Sequence, residues 1–285
     1  MRDDKAVRIF FIAAKALFLG FMATAGVGLA STQSTEADVA ARLKGKPLYL
    51  QGFWIGDKLT FQADGRPDKV YPTDSFTLSG FDFGNAKIQN GRLKISGERV
   101  GLIFDRNGHG QRHNLGGLVI EIAAPPDNNF TKALNAVFVD GLAELAPLLP
   151  SYWQAYAQTY FLPRPADETS TDSVRITKLL SSNRPNGDIR HVGGNIKPPR
   201  VIQSADPVFS SYARNMKLVG NVNVYMWVEP DGSPSHLQVV RPLGMGLDER
   251  ALRAASQFQY SPATRDGEPI RVELYINMNM NFQMF

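Results

Sequence analysis

The sequence predicts an α+β protein: a β-rich N-terminal module, a helical middle, and a C-terminal domain with two helices on a three-stranded antiparallel sheet. Three observations carry this reading. From about residue 43, short apolar runs are separated by ADGRPD, SGFDFGN and QNGR, in which Gly, Asn and Asp accept unusual backbone angles. After residue 126, leucines and aromatics recur at three- and four-residue steps. Near the end of the chain, RVELYINMNMNF alternates strictly. Val272, Leu274, Ile276, Met278, Met280 and Phe282 point one way, while Arg271, Glu273, Tyr275, Asn277, Asn279 and Asn281 point the other.

The elements follow in order. Residues 1–30 read as a leader. MRDDKAVR precedes IFFIAAKALFLGFMATAGVGLA, which is apolar except for Lys15. Gly28 and Ala30 are small residues at −3 and −1 of a cleavage site, which predicts export and a mature N-terminus at Ser31. The alternative is an uncleaved inner-membrane anchor in which Lys15 snorkels to the interface. Residues 31–42 read as a flexible lead. Residues 43–125 read as a small antiparallel barrel or sandwich, with strands at 47–54, 58–62, 75–78, 86–88, 92–97, 100–104 and 118–122.

The helical segment is expected over 126–165. Asn129 or Thr131 opens one helix, and residues 152–161 form a second with Trp153, Tyr156 and Tyr160 along one stripe. That stripe suits packing against the rest of the chain, and less readily a docked partner. Pro163 and Pro165 discourage helix continuation, residues 166–192 read as a linker, and 174–180 suggests a strand. The C-terminal domain is expected over 193–285.

Composition narrows the function classes. The chain has 285 residues, room for one large domain or two modest ones. Of the net charge of +4, two units come from Arg2, Lys5, Arg8 and Lys15 against Asp3 and Asp4. No basic stripe interleaved with aromatics remains, so nucleic acid is not an expected partner. Cysteine is absent, which excludes disulfides, thiol chemistry and lipid attachment. Periplasmic residence fits an exported chain of this kind.

Signals for catalysis are weak. In GHGQRHN, His109 and His113 have the spacing of a helical zinc pair, but the glycines favour a loop, and Asp105 and Glu121 complete no zinc motif. Ser75 and Ser96 lack a nucleophile-elbow setting. The glycine-rich run has neither a phosphate-loop ending nor dinucleotide spacing, and no carboxylate pair is committed to acid–base work. The expectation is a protein that is not an enzyme and has no cofactor or metal.

The C-terminal segment reads as extended piece, helix, strand, strand, helix, strand. Pro198 and Pro199 enforce extension, Pro207 suits the start of a helix over 208–216, and Glu229-Pro230-Asp231-Gly232 makes a hairpin turn. Leu247-Asp248-Glu249-Arg250 opens the second helix, and RVELYINMNMNF supplies the last strand. The pattern of Pro198, Pro207-Val208-Phe209, Ala213-Arg214, Gly220, Val222 and Val224 resembles the C-terminal domain of TonB and its relatives, energy-transducing proteins that touch outer-membrane receptors. It continues through Asp231-Gly232, Val239, Gly244, Leu247-Asp248, Ala251-Leu252, Ala254, Phe258, Tyr260, Pro262-Ala263, Gly267 and Pro269.

The resemblance implies a domain that binds an extended peptide of a protein partner, such as a TonB-dependent outer-membrane receptor. Strand addition at the last strand is the implied mode, with Arg271, Glu273, Tyr275, Asn277, Asn279 and Asn281 as candidate partner-binding side chains. The same edge would also serve a homodimer. Two departures from the family pattern stand out. Energy-coupling members usually carry an anchor with a serine and a histidine for the inner-membrane motor, whereas the first histidine here is His109. They also carry a long proline-rich spacer, and here the β-rich region takes its place.

Overall fold

The computed structural model describes residues 33–182 and 189–281. The expected leader, its cleavage site, the alternative anchor and Phe282 lie outside the described residues. The first element is a helix, α1 (Glu36–Leu43), within the stretch expected to be a flexible lead. Its start is a capping box: the Asp38 amide donates to Thr35 Oγ1 at 3.1 Å, and the Thr35 amide donates to Asp38 Oδ2 at 2.8 Å. Val39 and Leu43 are buried, so the helix is held by packing as well as by its cap.

Next come β1 (Leu48–Leu50), β2 (Lys58–Phe61), β3 (Gly80–Gln89), β4 (Arg92–Phe104), β5 (Gly110–Ala123), α2 (Thr131–Val137) and β6 (Phe138–Asp140). The strands form one sheet in the order β2-β5-β4-β3-β1-β6, antiparallel except for the parallel pair β2 and β5. This corrects the barrel or sandwich expected from sequence. Leu59, Phe61, Leu93, Ile95, Ile120 and Ile122 cluster with Val39 and Leu43 of α1 and Ala133, Leu134 and Val137 of α2. Helices cover that apolar face, so no second sheet is needed to bury it.

Residues 75–78 form a single 3-10 turn over Phe76–Leu78 rather than a strand. Ser75 Oγ caps it by accepting from the Thr77 amide at 3.0 Å, and Phe76 and Leu78 both turn inward. Arg99 pins this turn and the preceding loop to β4. Its guanidinium donates to the carbonyls of Leu78 and Gly56, each at 2.9 Å, and of Trp54 at 3.1 Å.

The middle of the chain contains α3 (Gly141–Leu145), α4 (Gln154–Tyr160) and α5 (Asp172–Ser182). The last of these replaces the strand expected over 174–180. Ile176 and Leu180, one turn apart, are buried, while Val174 is 56% exposed, which is a helical pattern. Trp153 and Tyr156 are buried in a cluster that also holds Phe76, Leu102 and Phe104 from the N-terminal module and Met245, Leu247 and Ala251 from the C-terminal domain.

The remaining elements are β7 (Arg190–His191), β8 (Ile196–Lys197), β9 (Arg200–Gln203), α6 (Ser211–Asn215), β10 (Gly220–Val228), β11 (Pro234–Arg241), α7 (Leu247–Ala255), β12 (Gln259–Ser261), β13 (Ala263–Arg265), β14 (Glu268–Ile270) and β15 (Val272–Met280). The principal sheet runs β11-β10-β15-β7. Its three long strands are antiparallel, as the sequence predicts, and β7 adds two parallel residues to β15. The helix α6 starts later than expected from Pro207, because Ser210 supplies the cap: its Oγ accepts from the Ala213 amide at 3.0 Å.

Two small sheets, β9 with β12 and β8 with β13 and β14, lie beside the principal one. Tyr260 and Ala263 from their strands bury Met226, Val228 and Val272. The hairpin turn at Gly232 (φ +84°) lies against this layer, its carbonyl accepting from the Tyr260 amide at 3.0 Å.

The N-terminal module and the C-terminal domain share backbone hydrogen bonds. The Met245 amide donates to the Leu102 carbonyl at 2.9 Å, and the Phe104 amide donates to the Leu243 carbonyl at 3.1 Å. Between them Ile103 and Gly244 form an antiparallel bridge. Gly244 has φ +95°, and a Cβ there would lie 2.0 Å from the Leu102 carbonyl oxygen. Gly244→Ala is therefore expected to cost about 2–4 kcal/mol through combined backbone strain and steric clash. Urea denaturation measures this, and a loss below about 0.5 kcal/mol, the range of an ordinary surface substitution, would refute the packing at this bridge.

Candidate protein-docking edge

The strand β15 pairs with β10 in unbroken register from Gly220 opposite Met280 to Val228 opposite Val272. Period-two alternation then places Val222, Val224, Met226 and Val228 on the same sheet face as Val272, Leu274, Ile276, Met278 and Met280. The opposite face carries matched pairs: Asn221 with Asn279, Asn223 with Asn277, and Tyr225 with Tyr275, whose rings meet edge-on at 5.2 Å. Tyr275 is 54% exposed, and Asn277, Asn279 and Asn281 are exposed. Four of the six side chains singled out from sequence thus lie on one solvent-facing strip.

The other two are engaged within the fold. Glu273 is only 5% exposed. Its Oε2 accepts from the Tyr225 hydroxyl at 2.7 Å, and its Oε1 lies 2.7 Å from His191 Nδ1. The Tyr225 hydroxyl in turn accepts from Trp227 Nε1 at 2.8 Å. Arg271 is half-buried. Its Nε donates to Glu229 Oε2 at 2.6 Å, and its guanidinium sits 5.5 Å from the centroid of the Trp227 ring. His236 also stacks on that indole, at 3.9 Å. The alternation assigns the face of Glu273 correctly but not its depth.

Sequence reasoning missed His191, Tyr225, Trp227 and the two asparagines of β10. A signal for the last was present: Asn221-Val222-Asn223-Val224-Tyr225 repeats the amide alternation of residues 275–279 with the polar positions in phase across the ladder.

On its outer edge, β15 meets β7 only at Val272, opposite Arg190, and Glu273, opposite His191. Beyond those two residues no strand among the described residues runs along that edge. The sheet's other edge differs. The pairing of β11 with β10 carries two register shifts, and the turn Ser151–Trp153 and α4 pack against β11.

The histidine pair noted in sequence forms no metal cluster: among the described residues no group of three or more ligating side chains is poised for a metal. His109 sits beside the Asp105 turn, 3.6 Å from its carboxylate, while His113 lies on β5. The Ser75 hydroxyl is bonded to Thr77 at 2.7 Å.

Three charged side chains in the first turn of α7 are held by specific partners. Asp248 accepts from the Leu243 amide at 2.7 Å and the Gly244 amide at 2.9 Å, which closes the loop before α7. Glu249 accepts from Trp153 Nε1 at 2.9 Å, and Arg250 pairs with both oxygens of Asp74 at 2.9 and 2.8 Å. Burial pushes the Asp248 carboxyl up to about 7, with the Glu249 charge adding to it, against the pull of the two amides. Burial raises Glu249 as well, against the Trp153 hydrogen bond.

The fold defines a domain of two helices and a three-stranded antiparallel sheet whose last strand lies near the sheet edge. Residues 205–284 match the family model for the Gram-negative bacterial TonB protein C-terminal, so this part of the chain is a TonB-type C-terminal domain. "Protein TonB" of Vibrio cholerae serotype O1 is 27% identical over 88 residues, covering 30% of this chain and 36% of that relative. The chain therefore spans about a third of the length of the curated relative it matches. The solution NMR structure of the Pseudomonas aeruginosa TonB C-terminal domain aligns with 33% of this chain and 93% of its own, at 16% identity and a TM-score of 0.25. Among the described residues no helix is long and apolar enough to cross a membrane.

The carboxylate shifts give a pH test. A carboxyl whose folded pKa is raised binds its proton more tightly when folded, so its stabilising contribution is complete below its ordinary value of 3.8 and lost as pH rises toward about 7. Stability measured by urea unfolding is expected to fall across that window. Glu249→Gln, which keeps an acceptor for Trp153, should make the fall shallower. An unchanged slope would show that these carboxyls do not titrate in the folded state as described.

Proposed function

We propose that this is a non-enzymatic cell-envelope protein whose TonB-type domain binds an extended segment of a protein partner along the outer edge of β15. The observation that carries the reading is the character of that edge: a regular nine-residue strand with no bulge against β10 and no charged side chain after Glu273. Edges that avoid pairing are short, bulged, charged or covered, and over residues 274–280 β15 is regular and uncharged. Strand addition would supply main-chain hydrogen bonds for affinity, and Tyr275, Asn277, Asn279 and Asn281 would supply side-chain selectivity. Arg271 and Glu273 would act indirectly, by holding the N-terminal end of the strand.

The family match supports an envelope setting and a role in energy-coupled transport, with a TonB-dependent outer-membrane receptor as the partner and the periplasm as the site of action. In the second reading the protein is an assembly module that dimerises through the C-terminal domain. The same regular edge favours it, because β15 would pair with its own copy as readily as with a foreign strand.

Photo-crosslinking from positions 277 and 279 in envelope membranes separates the two readings, with Val70, 98% exposed and remote in sequence, as the control position. The docking reading expects a receptor adduct at both strand positions and none at Val70. Adducts formed only with another copy of the chain would establish the assembly reading instead. A yield at positions 277 and 279 no higher than at Val70 would overturn both.

A further inference from the structure

The two residues of β7 occupy the same edge that the docking reading assigns to the partner. This inference rests on that reading and concerns where a docked strand must end. Behind β7, Ile189 is buried in the cluster that holds Ile176 and Leu180 of α5. Along it, the Arg190 amide donates to the Arg271 carbonyl at 3.3 Å. At its tip, His191 Nδ1 meets the buried Glu273 carboxylate at 2.7 Å. The segment is thus fastened by an apolar anchor, a backbone hydrogen bond and the His191–Glu273 contact, although its ladder covers only Val272 and Glu273.

We propose that β7 is a register stop: a partner strand pairs with β15 from Met280 back toward Leu274 and ends against His191, so the site takes one short strand in one register. Without a stop, a regular edge tolerates sliding. Every slip by two residues restores the same side-chain faces, and the Asn277 and Asn279 repeat would accept the slipped strand nearly as well. An obstacle at one end removes that degeneracy.

The inner edge of β15 shows which strand chemistry suits it. There β10 runs antiparallel, with Asn221 and Asn223 opposite Asn279 and Asn277 and with Val222 and Val224 at the alternate positions. A partner strand matching the outer edge in the same sense carries amide or hydroxyl side chains at alternate positions on the exposed face and β-branched residues on the other. Its C-terminal end meets His191.

The sequence of β10 supplies the probe. Two fluorescent peptides, GNVNVYM and GNVNVYMWV, each flanked by lysines for solubility, reach Leu274 and Val272 respectively when paired as β10 is. Binding is followed by anisotropy on the full chain and on two variants. Ile189→Ala with His191→Ala removes the anchor and the contact with Glu273, and Arg190→Pro removes the backbone donor. Each variant is first checked for a native melting profile.

The wild-type chain is expected to bind the two peptides within twofold of one another. A variant with β7 released should bind the longer peptide about tenfold more tightly than the shorter, the gain from the added backbone hydrogen bonds. The chain contains no cysteine, so Asn277→Cys paired with a peptide cysteine at the position of Asn223 reports location by disulfide trapping. Equal length dependence in wild type and both variants would overturn the stop while leaving docking intact. Failure of every chain to bind either peptide, or binding without trapping at position 277, would overturn the docking reading itself.

Discussion

The approach of Gly244 to the Leu102 carbonyl governs the arrangement of everything on either side of it. Hydrogen bonds from Met245 to Leu102 and from Phe104 to Leu243 lay the loop before α7 antiparallel against the end of β4. A backbone shared in this way cannot rotate without breaking buried hydrogen bonds, each costly to leave unmade. Around the bridge, Thr77 Oγ1 accepts from the Gly246 amide, Arg250 reaches Asp74, and Trp153 reaches Glu249. These contacts come from two separate regions of the chain, residues 74–77 and Trp153, and converge on the first turn of one helix. The α7 side of the TonB-type domain is consequently an internal surface.

That constraint decides which part of the domain remains for a partner. Of the two lateral strands, β11 is irregular and has α4 packed against it, whereas β15 carries β7 at one end. The apolar face of the principal sheet is taken in part by Tyr260 and Ala263. The strip of Tyr275, Asn277, Asn279 and Asn281 lies on the opposite face, toward solvent. A TonB-type domain held this way is joined to a β module by shared backbone hydrogen bonds and a common core, in contrast to a domain carried on an extended spacer. Its orientation is set by packing, and a partner strand would meet an edge already fixed in direction.

Much of the C-terminal domain was legible in the sequence because its signals are local. The alternation of residues 272–280, the Asp231-Gly232 turn and the Leu247-Asp248 helix start depend on neighbours a few residues away. The failures came from contacts between distant segments. Glu273 reads as one more polar residue on an exposed face until His191 and Tyr225 close over it. The parallel pairing of β2 with β5 leaves no periodic trace, so the N-terminal strands read as a barrel or sandwich. Other misses were local and recoverable. Thr35 and Asp38 spell a capping box inside the presumed flexible lead, and Ile176 and Leu180 share a helical face that the β-branched Val174 obscures.

On the proposed docking reading, the chemistry of β15 suits an edge that is stable both empty and filled. Asparagine side chains satisfy their donors and acceptors with water as well as with a neighbouring strand, so solvation does not oblige the edge to pair. Lysine or glutamate at the same positions would blunt the edge by repulsion and by the cost of desolvating charge on docking. Valine or isoleucine there would favour indiscriminate pairing of the kind that leads to aggregation. Amides between these extremes leave recognition to the backbone, and the cross-strand asparagine pairs extend a pattern that an incoming strand can continue. The charged residues of the strand region, Arg271 and Glu273, are confined to the end where β7 sits, and each is engaged there: Arg271 with Glu229 and Trp227, Glu273 with Tyr225 and His191. Charge is therefore confined to the end of the strand that β7 covers, and neutral amides line the end proposed for pairing.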